Sequence, residues 1–129
     1  MNLLLDTHAF LWWLREDDSL GTAARSAIER TGNVVFVSAA SALEIAIKRA
    51  VGRLPGLPRG DIGDWIERNG FQALSVDVAH AVASAELPRH HSDPFDRLLI
   101  AQARLEDLTL VASDEHISRY RVRLLDAAV

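Results

Sequence analysis

Four carboxylates stand where a fold of alternating strands and helices would bring them together. Asp6 directly follows the apolar run Leu3–Leu5, and Asp114 follows the run Thr109–Ala112 by two residues. Glu44 lies in the first turns of a helix that follows another apolar run, and Asp96 in the first turn of a helix opening at Pro94. Converging carboxylates repel one another strongly unless a cation neutralises them. Hard divalent ions such as Mg²⁺ or Mn²⁺ favour all-oxygen ligands and keep several waters. A site of that kind activates a water and stabilises negative charge on a phosphodiester. The sequence has no cysteine and no His-x-x-x-His or His-Glu-x-x-His pair, so neither a thiolate nor a zinc site is expected.

The elements that must position these acids are legible from the hydrophobic pattern. Asn2–Leu5, Val34–Val37 and Thr109–Ala112 are short apolar or β-branched runs of the kind that form buried parallel strands, with weaker strand signals at Phe71–Ser75 and, as an edge, Arg121–Leu125. Helices are predicted over Thr7–Leu14, Thr22–Arg30, Ala39–Val51, Asp61–Arg68, Asp77–Glu86 and Pro94–Glu106. In the Ala39–Val51 helix, Leu43, Ala46, Ile47, Ala50 and Val51 share one face, and the apolar neighbours of Glu44 predict a largely buried helix. Gly52–Gly60 is a glycine- and proline-rich loop, and Leu87–Asp93 a polar one. Strands separated by helices imply crossover connections and a parallel sheet covered on both faces, an α/β/α sandwich. In such sheets functional groups gather beyond the carboxyl ends of the strands, where Asp6 and Asp114 fall.

Each acid also has an ordinary structural reading. Asp6 suits the N-cap of the helix starting at Thr7. Glu44 and Lys48 have the i,i+4 spacing of a helical ion pair. Asp93, Pro94 and Asp96 form a capping arrangement with acids where the helix dipole favours them, and Asp114 suits a turn. Four such readings at four converging positions would be a coincidence.

Composition narrows the function. The chain of 129 residues fits a single domain over residues 1–129, with 49% hydrophobic and 25% charged residues. A net charge of −4 argues against a protein that simply coats nucleic acid, and an acidic protein acting on phosphates needs bound cations. The absence of cysteine fits a reducing cytosol, and a cytoplasmic location is expected. There is no apolar run of membrane-spanning length and no signal-peptide pattern at the N-terminus.

These residues resemble the PIN-domain family and, within it, the VapC toxins of bacterial toxin–antitoxin modules. The landmarks are Leu4-Leu5-Asp6-Thr7-His8, then Val37-Ser38-Ala39-Ala40-Ser41 leading into Glu44-Ile45-Ala46-Ile47-Lys48. They continue with His91-Ser92-Asp93-Pro94-Phe95-Asp96-Arg97-Leu98-Leu99-Ile100-Ala101-Gln102-Ala103 and end with Leu110-Val111-Ala112-Ser113-Asp114. The resemblance covers essentially the whole chain. It implies a ribonuclease dependent on Mg²⁺ or Mn²⁺ that cleaves RNA by a metal-activated water. Asp6, Glu44, Asp96 and Asp114 take the acidic roles as catalytic residues and metal ligands. It also implies a homodimer, and a cognate antitoxin protein that wraps the toxin and blocks its site. One departure is Ala112, where similar proteins often carry Thr; hydroxyls of Ser113 or Thr7 are the available substitutes.

Several other residues carry expectations. Arg97 and Lys48 are candidates to meet charge on the phosphate, and Thr7, Ser38 and Ser113 to orient ligands or waters. Arg119, Arg121 and Arg123 alternate with Tyr120, Val122 and Leu124, which predicts a basic face on a short strand, favoured as a charged edge over an RNA track. Phe10, Trp12 and Trp13 suit core or dimer contacts, His8 suits packing, and His90 and His91 are expected to face solvent. The alternative class is a PIN-like binding module without activity. A phosphatase or phosphotransfer domain fits poorly, because the position two residues after Asp6 is His8 rather than an acid.

Overall fold

The computed structural model describes residues 1–129. The chain runs β1 (Asn2–Leu5), α1 (Thr7–Leu14), α2 (Thr22–Glu29), β2 (Val34–Ser38), α3 (Ala39–Ala50), α4 (Ile62–Arg68), β3 (Gln72–Leu74), α5 (Val78–Glu86), α6 (Pro94–Leu105), β4 (Thr109–Ala112) and β5 (Leu124–Asp126). A single 3₁₀ turn at Ile117–Arg119 precedes β5. The five strands form one parallel sheet in the order β3-β2-β1-β4-β5. β1 is therefore central, paired with β2 from Asn2–Val34 to Leu5–Val37 and with β4 from Leu3–Thr109 to Leu5–Val111.

Strand alternation divides the core. Leu3, Leu5, Val35, Val37 and Val111 face one side of the sheet, where Phe10, Ala24, Ile28, Trp65 and Ile66 cover them. Leu4, Leu110 and Ala112 face the other, against Leu99, Ile100 and Ala103 of α6. The result is the α/β/α sandwich expected from the alternation of elements. Phe10 is wholly buried, while Trp12 and Trp13 are half-buried against the first core. His8 is exposed, its ring 6.2 Å from that of Trp12.

Two expectations fail. The Ala39–Val51 stripe does not face the core: Leu43, Ile47 and Val51 are 55%, 50% and 65% exposed, and Ala46 and Ala50 are exposed beside them. The inward face of α3 is Ala40, Ser41, Glu44 and Ile45. A strong apolar period reports that a helix face wants cover, and here the chain supplies none. The basic strand also dissolves. Arg119 belongs to the 3₁₀ turn and β5 begins only at Leu124, because Tyr120 turns inward to make the hydrogen bonds described below. No helix is long and apolar enough to cross a membrane.

Candidate active site

All four acids come to the carboxyl-end side of the two central strands. Asp6 follows β1 and is only 3% exposed. Its N–H donates to the Val111 carbonyl at 3.0 Å, tying it to β4. Its Oδ1 accepts the Ala9 N–H at 2.8 Å, so Asp6 does cap α1. The cap uses one oxygen, and no hydrogen bond reaches the other from the protein. Capping and site duty are thus compatible in one carboxylate.

Asp96 also keeps its capping context, with Asp93 accepting the N–H groups of Phe95 and Asp96 and Pro94 in the first turn of α6. Its Oδ2, however, turns to the His91 Nε2 at 2.8 Å. That nitrogen lies 3.4 Å from Asp114 Oδ2. The other oxygen of Asp114 accepts from the His116 backbone N–H at 2.8 Å and stands 3.0 Å from His116 Nδ1. The His91 and His116 rings stack with centroids 5.1 Å apart. Glu44 is buried on α3, and its Oε2 pairs with Lys48 Nζ at 2.9 Å.

The electrostatics carry the mark of crowding. Burial pushes the Asp6 carboxyl up to about 7, opposed by the Ala9 N–H and reinforced by the charges of Asp96, Glu44 and Asp114. Burial also raises Asp96; the His91 hydrogen bond pulls the other way, while the Asp93 and Glu44 charges add to the rise. Burial works against ionisation of Asp114 too, yet the His116 hydrogen bonds and the nearby His91 and His116 hold it below the usual carboxylate range. Asp6 therefore feels the other three acids, and Asp96 feels Glu44. Crowded carboxylates that repel one another, with the second oxygen of buried Asp6 unused by the protein, suit a hard divalent cation, so the residues fit the expected ion.

A family model described as the PIN domain matches residues 3–123. The chain belongs to the PIN-domain family. This PIN domain is 29% identical over 123 residues to a protein named Ribonuclease VapC22 from Mycobacterium tuberculosis (strain ATCC 25618 / H37Rv), with 92% of each chain covered. Among solved structures it is similar to VapBC2 from Rickettsia felis bound to a DNA fragment from their promoter. There the TM-score is 0.66 at 14% identity, covering 97% of this chain and 98% of that one. A toxin–antitoxin complex from Klebsiella pneumoniae gives a TM-score of 0.64 at 16% identity, covering 97% of each chain.

Other expectations for this PIN domain sort by what the side chains touch. Arg97 is not free for a phosphate. Its guanidinium donates to the carbonyls of Ser84 (2.8 Å), Leu87 (2.9 Å), Pro88 (3.0 Å) and His91 (3.1 Å). Lys48 is engaged with Glu44 and half-buried. Ser38 caps α3 through the Ala40 N–H and donates to Gln102 Oε1 at 2.5 Å, a bond within the core. Thr7 Oγ1 is buried with no hydrogen-bond partner, whereas Ser113 is exposed. His90 faces solvent as expected, its ring edge-on to Tyr120 at 5.2 Å.

His91 is the residue that sequence reasoning missed. A histidine in a polar loop carries no signal of its own, and the neighbouring His90 has the opposite fate. Only the pairing His91–Asp96, five residues apart across the start of a helix, hinted at a contact.

Proposed function

We propose that this protein is a toxin-type ribonuclease of the PIN family, dependent on a divalent cation held by Asp6, Asp96, Asp114 and Glu44. The observation that supports it most is the convergence of these acids on a buried Asp6 at the carboxyl ends of β1 and β4, within a PIN fold. The relative named Ribonuclease VapC22 supports the reaction class.

Asp6, Asp96, Asp114 and Glu44 would hold the ion, and a divalent ion held there would supply an acidified water and charge to offset the phosphate. The protein's own part is positioning. Asp6 is held rigidly by its cap to α1 and its link to β4, so its free oxygen has one direction. His116 orients Asp114 by holding one oxygen and leaving the other toward the cluster. Lys48 pairs with Glu44 at 2.9 Å and so places a long cation beside the acids. RNA is the substrate in this reading, and residues 1–129 form one domain that acts in the cytoplasm.

The same reading includes a cognate antitoxin and a homodimer. The similar solved complexes support the antitoxin, and the uncovered stripe Leu43, Ile47 and Val51 on α3 supports a protein partner.

The test is cleavage of a mixed RNA pool by the purified chain with Mg²⁺ or Mn²⁺, and with EDTA. Asp6→Asn and Asp96→Asn run beside it, because asparagine keeps the shape and removes the charge. Metal-dependent cleavage lost in both folded variants is the expected result. Absence of cleavage by every form, or cleavage unchanged in both variants, would leave the inactive binding module as the better reading.

A further inference from the structure

We infer that His91 is a nitrogen ligand of the metal site, so that the centre takes one imidazole besides its carboxylates and favours Mn²⁺ and later transition ions over Mg²⁺. The inference rests on the divalent-cation reading above and goes beyond it in the donor set.

Geometry is the first support. His91 Nε2 sits 2.8 Å from Asp96 Oδ2 and 3.4 Å from Asp114 Oδ2. Two atoms that share one ion at bond lengths of roughly 2.1 Å and right angles lie about 3.0 Å apart. The two spacings from His91 Nε2 thus bracket that of ligands on a common cation, and the three donor atoms all lie within 4.8 Å of one another. Beside them is Asp6, more than nine-tenths buried, with one oxygen unused by the protein.

The second support is that the loop delivering His91 is built. Both peptide groups of the residue are clamped. Its N–H donates to the Tyr120 hydroxyl at 2.9 Å and its carbonyl accepts from Arg97 at 3.1 Å. The same hydroxyl accepts from the His90 N–H at 3.1 Å and from Arg97 at 3.3 Å, and donates to the Pro88 carbonyl at 2.6 Å. A phenol and a guanidinium that pin this loop to α5, α6 and the turn before β5 are costly unless the loop must hold a shape. The shape aims one imidazole nitrogen at two carboxylates, with the ring braced by His116.

The chemistry then follows from donor type. Mg²⁺ holds to oxygen and water, whereas imidazole adds affinity that rises from Mn²⁺ through Co²⁺ along the first-row series.

The experiment uses the full chain loaded with Mn²⁺. Pulsed electron paramagnetic resonance reads ¹⁴N coupling to the ion, and calorimetry reads affinities for Mg²⁺, Mn²⁺ and Co²⁺, in wild type, His91→Gln and His116→Gln. Circular dichroism establishes that each variant is folded. The expected result is nitrogen coupling in wild type and His116→Gln that disappears in His91→Gln. With it, Mn²⁺ and Co²⁺ affinity should fall about tenfold or more, and Mg²⁺ affinity less than about threefold. Mn²⁺ bound by wild type without nitrogen coupling, or coupling that persists in His91→Gln, overturns the inference and leaves the carboxylate site standing. No Mn²⁺ binding by wild type overturns both.

Discussion

Two clusters in this fold are made of the same parts, one histidine and two carboxylates. One is His91 with Asp96 and Asp114; the other is His80 with Asp77 and Glu106. In the second, His80 is 2% exposed and both ring nitrogens are occupied. Nδ1 accepts the Asp77 N–H at 3.0 Å, while Asp77 accepts the His80 N–H at 2.9 Å, a reciprocal cap on α5. With Nδ1 accepting that N–H, Nε2 is the ring's donor and reaches Glu106 Oε1 at 2.9 Å. Gln102 approaches the same Nδ1 at 3.4 Å and continues the chain to Ser38. Both ring nitrogens of His80 are thus spent within the fold, and its two carboxylates are exposed. Around His91 only Nε2 has a partner, and the neighbouring Asp6 is buried with one oxygen unused. Ligand-type residues become a candidate site when the protein leaves their capacity unspent.

The sharpest way to break that comparison is to remove a charge from each cluster. Asp96→Asn should lower metal-dependent RNA cleavage by about 100-fold or more, whereas Glu106→Gln should leave it within about threefold, in single-turnover assays on one RNA. Equal losses would erase the distinction. The next largest effect belongs to the His80 side. His80→Ala removes a buried ring, half of a cap and two hydrogen-bond partners, and should cost roughly 2–4 kcal/mol in urea unfolding. Metal affinity of the remaining folded protein should not change.

Acidity sharpens the contrast further. The Asp6 carboxyl is raised from 3.8 to about 7, so in the metal-free protein the folded state favours the protonated form. Its contribution to stability is full below the unfolded pKa and is lost as pH climbs through 7. Asp6→Asn mimics the protonated group without losing the cap. It should therefore stabilise the metal-free protein by roughly 2–4 kcal/mol at pH 8 and by almost nothing near pH 4. Chemical denaturation at the two pH values checks the sign. A gain at pH 4 alone would contradict it.

A smaller effect comes from the ion itself. Mn²⁺ at 100 times its dissociation constant should stabilise wild type by about 2.7 kcal/mol. The shift, read as a rise in melting temperature, should vanish in Asp96→Asn and survive in Glu106→Gln.

Much of this was legible in the sequence, for reasons that differ by element. β1, α1, β4 and α6 were predicted close to their final bounds because short apolar runs and capping residues are local signals. Asp6, Asp96 and Asp114 were legible as neighbours because each lies at a strand end or helix start, which fixes its side of the sheet, and Glu44 because its helix follows β2 directly. The direction of the α3 stripe was not, since periodicity reports a sticky face without saying which molecule covers it. Nor were His91, Arg97 and Tyr120, whose mutual hydrogen bonds join a loop, a helix and the turn before β5. Contacts of that kind have no sequence period. The supposed basic strand failed for the same reason, Tyr120 being drawn inward by partners far along the chain.

The central position of β1 has a consequence in time. Asp6 precedes Asp114 by 108 residues in the chain, and the two acids come together only when β4 pairs beside β1. At synthesis rates of about 5–20 residues per second, the interval between the two acids is roughly 5–20 s. Throughout it, the nascent chain lies next to ribosomal RNA, messenger and tRNA with β1 lacking one of its two neighbours. Strand order thus delays assembly of the acid cluster until Asp114 has been made.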